Sequence, residues 1–218
     1  MKLGPAAVAT ALVAIAFSGC GGSSTSSSPT TTTATTTSSG TGSAAVTPPP
    51  GTPAALRGVH GGVLLAGDLP GFVPRGYSAP RTSAQSAVAE YPPERRASEA
   101  ARLKALGFIA GIDERLAPTT GGSVNEEAIS LVSQFRSAHG ANGEVAAGIK
   151  LALARGESAF AVPGIPGARG FGSTGSPPDA NVAFPVGAYY YLVGFSSSTA
   201  TRAQLIAAAQ RLYSRVRG

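Results

Sequence analysis

Between residues 21 and 53 the chain carries 19 Ser or Thr, five Pro and no charged side chain. So little apolar surface cannot offset the entropy of ordering the segment, which is therefore expected to be a disordered tether. As a flexible coil, these 33 residues would span about 30 Å on average and at most about 110 Å. The tether confines folding to the residues beyond it. Residues 57–218 remain for one globular domain, long enough for a core of its own.

Ahead of the tether, Met1 and Lys2 give a short positive start, and Ala6 to Phe17 form an apolar run of 12 residues. That length suits the central region of a secretory signal peptide and is too short for a membrane-spanning helix. The small residues Ser18 and Gly19 then precede Cys20, the one cysteine of the chain. The run Ala16-Phe17-Ser18-Gly19-Cys20 resembles the lipobox of bacterial lipoproteins, with Phe17 where Leu is usual. The resemblance covers about the first 22 residues. It implies removal of residues 1–19, a diacylglyceryl thioether on Cys20 and an N-acyl chain, and hence an extracytoplasmic protein anchored to the membrane by lipid. Two or more acyl chains hold a protein stably where one holds it marginally. A single cysteine also excludes a disulfide framework. The expected segments are a signal peptide (1–19), the lipidated cysteine with its tether (20–56) and the globular domain (57–218).

Apart from Lys2, all of the 17 Lys or Arg and 11 Asp or Glu lie beyond the tether, an excess of five positive charges. Spread along the domain, such an excess reads as a solvated surface and does not call for a nucleic-acid partner. Val63 to Leu65, closed by Gly67-Asp68-Leu69-Pro70-Gly71, is expected as a first strand. Pro92 and Pro93 introduce a helix over 94–106, with Gly107 as its C-terminal stop, and 108–116 comes next as a strand. Ser123 and Glu126 have capping-box spacing, and Ala128, Leu131, Val132, Phe135 and Ala138 recur at helical spacing, which predicts a helix stopped at Gly140. A further helix is expected over 143–154. Short strands are expected at 158–162 and 168–171, then a hairpin of 182–184 with 188–195. Thr201 and Gln204 open a last helix, with Leu205, Ala209, Leu212 and Val216 as its apolar stripe and Arg202, Arg211, Arg215 and Arg217 mostly exposed. The order β-α-β-α-α-β-β-β-α predicts a single α+β domain with a largely antiparallel sheet covered by helices on one face.

Chemistry is sparse. Gly170 to Gly175 matches G-x-G-x-x-G, but prolines on both sides forbid the helix that would meet a pyrophosphate, so a mobile Gly/Pro-rich loop is expected and no cofactor. His60 and His139 lie far apart, with no cysteine or nearby carboxylate at ligand spacing, so no metal site is expected. His139 is read in the last turn of a helix, where the dipole favours a cation. No G-x-S-x-G or S-x-x-K occurs, so no catalytic residue is assigned. Asp113 and Glu114 would point to opposite faces of a strand, and Glu126 and Glu127 are explained by a helix N-terminus. Tyr189, Tyr190 and Tyr191 are the most unusual run of the domain. On a strand, Tyr189 and Tyr191 share a face, either as core or as an aromatic platform for a sugar or apolar ligand. The expected protein is a monomeric, lipid-anchored binding or interaction module, facing an envelope ligand or partner protein through its domain and the membrane through Cys20. The alternative is an envelope hydrolase with an unrecognised site.

Overall fold

A computed structural model describes residues 59–77, 80–119 and 126–217. The signal peptide, Cys20 and the tether lie outside these residues.

Seven strands form one sheet: β1 (Phe72–Tyr77), β2 (Phe108–Pro118), β3 (Glu127–Phe135), β4 (Ser158–Phe160), β5 (Arg169–Ser173), β6 (Asp179–Val186) and β7 (Tyr189–Ser196). Their order is β1-β2-β3-β7-β6-β5-β4, and every neighbouring pair is antiparallel. Four helices accompany them among the described residues: α1 (Ala84–Ala87), α2 (Pro93–Ala105), α3 (Ala138–Ala154) and α4 (Arg202–Val216). A 3₁₀ turn, His60–Gly62, opens the described chain.

The α+β class and the antiparallel sheet are as the sequence predicts. The helices, expected on one face, occupy both. Side chains alternate along a strand, so Tyr190 and Tyr191 point opposite ways. Tyr191 joins Ile112, Val132, Phe184 and Val193 in a core beneath Leu205, Ala209 and Leu212 of α4 and beneath Val63, Leu64 and Leu69. Tyr190 joins Phe135, Phe171 and Ala183 in a second core beneath Val145 of α3, Leu103 of α2 and the residues of α1.

Local signals place several elements well. Pro93 sits in the first turn of α2, where its missing N–H costs nothing, and Gly107 comes directly after that helix with φ +79°, a conformation that favours glycine. Thr201 accepts from the Gln204 N–H at 3.2 Å while Gln204 accepts from the Thr201 N–H at 2.8 Å, closing the capping box of α4. Leu212 is fully buried. Burying a leucine contributes about 1.5–3 kcal/mol.

Three expectations fail. Val63 to Leu65 is not a strand. Val63 and Leu64 are buried, but as an irregular segment whose Leu64 N–H donates to Ser130 Oγ at 2.9 Å. The first strand comes later, at Phe72–Tyr77, and its Pro74 is tolerated because β1 lies on the sheet edge. The helix predicted through 128–138 is strand β3 (Ser123 lies outside the described residues). A central strand covered on both faces carries apolar residues at both parities. Ala128 and Val132 face one core and Leu131 and Phe135 the other, and together they imitate a helical spacing. Finally, Gly140 does not stop a helix. It lies in the first turn of α3, capped by Ser137 Oγ accepting the Gly140 N–H at 3.3 Å. A Cβ on Gly140 would collide with the Leu106 carbonyl, and one on Gly143 would lie 2.6 Å from a Leu106 methyl. These glycines let α3 sit against the end of α2.

Candidate functional site

The tyrosine run divides between the two cores. Tyr191 is 5 % exposed and stacks on Phe184 at 5.1 Å between ring centroids, with Tyr213 of α4 edge-on to Phe184 at 6.0 Å. Tyr189, half-buried, lies 6.4 Å from Tyr191 and packs against the same core. The face that Tyr189 and Tyr191 share is thus the face that α4 covers. Tyr190 is buried on the other side. Burial pushes the Tyr190 and Tyr191 phenols well above the ordinary tyrosine pKa, so both are neutral core groups.

No sequence spacing points to a second feature. Asp113, in the middle of β2, has no exposed surface, and neither carboxylate oxygen accepts a hydrogen bond. Two guanidinium groups stand near it: Arg81 Nη2 at 3.4 Å and Arg115 Nε at 3.9 Å. Arg81 is placed by its backbone, which exchanges hydrogen bonds with Gly111 at 3.0 and 2.8 Å along the edge of β2. Arg115 also holds Glu90 at 2.7 Å and Glu127 at 3.1 Å. Burial raises the Asp113 pKa and the nearby Glu90 adds to this, while Arg81 and Arg115 oppose them. The cluster ties the 80–91 segment to the sheet. Its members are scattered along the chain, which is why no local pattern announces them. Glu114, on the opposite face, is also buried.

The other charged clusters also join elements. Arg102 of α2 bonds Glu144 of α3, and its Nε reaches Glu99 at 2.9 Å, itself 2.7 Å from Arg95. Arg215 of α4 donates to Asp68 Oδ2 at 2.9 Å and to the Val63 carbonyl at 2.8 Å, and Arg211 donates to the Asp68 carbonyl. Arg202, Arg211 and Arg217 are exposed as expected; Arg215 is not, because it clamps the buried N-terminal segment. Glu126 caps no helix. It accepts from the Ser197 hydroxyl at 3.0 Å and the Ser198 hydroxyl at 2.5 Å, and these bonds, Ser198 first, hold its pKa below the usual range.

His139 stands exposed in the first turn of α3, at the helix end opposite to the one expected, and its side chain has no hydrogen-bond partner among the described residues. The His60 side chain is not described. Gly170 and Gly172 belong to β5 and not to a mobile loop. A Cβ on Gly170 would run into the Phe160 ring of the paired strand, and one on Gly172 into the backbone of Asp179. These glycines serve strand packing.

Two concave surfaces stand out among the described residues. An open groove of about 430 Å³ runs between α1 and α2, floored by Val88, Ala97, Ala100 and Ala101 and edged by Gln85, Arg96 and Lys104. A polar recess of about 460 Å³ lies against α4, where Arg211 and Arg215 are held by Asp68. Among the described residues no helix is long and apolar enough to cross a membrane, and no three His, Cys, Asp or Glu gather as a metal site.

No protein-family model matches the chain, and no curated protein does. Among solved structures, the extracellular domain of PknH from Mycobacterium tuberculosis is similar at 11 % identity with a TM-score of 0.43, over 67 % of this chain and 86 % of that one. That likeness is too slight to carry a role over to this chain.

Proposed function

We propose that this protein is a lipid-anchored, extracytoplasmic binding module, acting on an envelope component or a partner protein without catalysing a reaction. The observation that carries the reading is the lone Cys20 directly behind Ser18 and Gly19 at the end of a 12-residue apolar run, with an uncharged Ser/Thr-rich segment after it. The chemistry of the domain supports binding. Asp68, Asp113 and Glu144 are held in ion pairs between elements, and the more apolar groove is lined by alanines, a valine, a glutamine and two cations, with no nucleophile beside a base.

The test is Cys20→Ser in a bacterial host that processes lipoproteins. The native chain is expected to incorporate labelled palmitate and to stay with the membrane through a high-salt wash. The variant is expected to lose the label. A variant that still takes up palmitate would refute the anchor.

A further inference from the structure

The domain's excess of five positive charges understates what its surface shows. All eleven Asp and Glu lie among the described residues, and of these Glu90, Glu94 and the side chain of Glu127 are exposed. Among the described residues, Asp68, Glu90, Glu99, Asp113, Glu127 and Glu144 form ion pairs with five arginines. Every other described Lys or Arg, ten in all, is exposed and has no acid within ion-pair distance among the described residues. Folding has drawn the negative charge inward and left the positive charge outside.

Part of that charge meets apolar surface at one place. Arg96 and Lys104 edge the α1–α2 groove, whose floor is Val88, Ala97, Ala100 and Ala101. The Arg96 Nε donates to the Tyr91 carbonyl at 2.7 Å, which fixes the stem and leaves the two terminal nitrogens outward. Arg136, also exposed, adjoins the C-terminal end of α2: its N–H donates to the Gly107 carbonyl at 2.9 Å and its side-chain stem lies against Gly107.

We propose that this groove, with Arg96, Lys104 and Arg136, is the surface by which the domain lies on an anionic phospholipid bilayer. Cations with apolar surface between them fit the headgroup layer, where phosphates meet the first methylenes. The anchored-module reading enters for proximity alone: if 21–53 is the flexible tether its composition predicts, a chain held at Cys20 would keep its domain about 30 Å from the bilayer on average. Lipid at Cys20 would hold the protein at the membrane, and the basic groove would set which face it turns towards it.

The test dispenses with the anchor. Residues 20–218 carrying Cys20→Ser, which lack both the lipid and the apolar run of the leader, are sedimented with phosphatidylcholine vesicles and with vesicles containing phosphatidylglycerol, at low and high salt. Binding to the anionic vesicles alone, lost at high salt, is expected. Each cation near the surface contributes on the order of fivefold, so the triple variant Arg96→Ala, Lys104→Ala, Arg136→Ala should bind about a hundredfold more weakly. A charge-matched variant, Arg169→Ala, Arg202→Ala, Arg217→Ala, should lose far less. All six side chains are exposed, so a thermal melt should find both variants folded. Equal losses in the two variants would overturn the groove. Absence of binding to anionic vesicles, or binding to a soluble polyanion but not to vesicles, would overturn the membrane as partner. Neither result depends on whether Cys20 is acylated.

Discussion

Asp113 is costly to bury. A carboxylate without exposed surface and without a hydrogen bond leans on two guanidinium groups at 3.4 and 3.9 Å. Breaking a buried pair leaves an uncompensated charge, yet the intact pair adds little net stability once desolvation is counted. Burial raises its pKa above the ordinary 3.8. The folded chain therefore keeps this proton to higher pH than the unfolded chain, and the Asp113 contribution to stability falls as pH rises through that window. Glu99 and Glu126 are held below their ordinary 4.5 and act oppositely, losing stability as pH falls. Asp113→Asn removes just the first effect. Its melting temperature, measured against the native chain, should gain progressively from about pH 4 upwards and then level off. A difference that is flat with pH, or that shrinks as pH rises, would refute this account.

At the scale of elements, α4 shows how far a pattern reaches. Its stripe of Leu205, Ala209 and Leu212 is legible because a helix repeats every 3.6 residues and its buried face is one-sided. Leu212→Ala should cost about 2–5 kcal/mol, read as a lowered denaturation midpoint. The same periodicity places Arg215 on the surface, where its loss would cost about 0.5 kcal/mol or less. The structure instead joins it to Asp68 and to the Val63 carbonyl, at 2.9 and 2.8 Å. Arg215→Ala should therefore cost about 1–3 kcal/mol, because buried partners are left unsatisfied. An unchanged midpoint for Arg215→Ala would show that the clamp carries no weight, and one for Leu212→Ala that α4 is not part of the core. Strand β3 is the converse case. Its two buried faces remove the alternation that marks a strand, so Ala128, Leu131, Val132 and Phe135 look helical until β2 and β7 are seen on either side.

For the whole molecule, the two cores share one sheet, and the described contacts begin at Val59. A chain starting at Arg57 should thus unfold in one cooperative transition, and limited proteolysis of the longer protein should cut first within 21–53. Protection of 21–53 against protease would show an arm docked on the domain, and a broad or probe-dependent melt would show that the two cores unfold separately. The inward sorting of acids and outward sorting of arginines is likewise a property of the whole. Beyond Lys2 the composition reports an excess of five charges, whereas the surface has ten exposed Lys or Arg side chains against those of Glu90, Glu94 and Glu127 among the described residues.

The sequence by itself determined the α+β class, the antiparallel hairpin of β6 and β7, the ends of α2 and α4 and the buried stripe of α4. Each rests on signals within a few residues of one another: a proline in a first turn, a glycine after a last, a reciprocal cap, a one-sided repeat. Tertiary structure alone decided that 127–135 is a strand, that α3 runs through Gly140 and Gly143, and that helices cover both faces of the sheet. It also brought Asp113, Arg81, Arg115, Glu90 and Glu127 into one cluster. These outcomes depend on what packs against a segment, and that partner lies tens of residues away, beyond the reach of any local pattern.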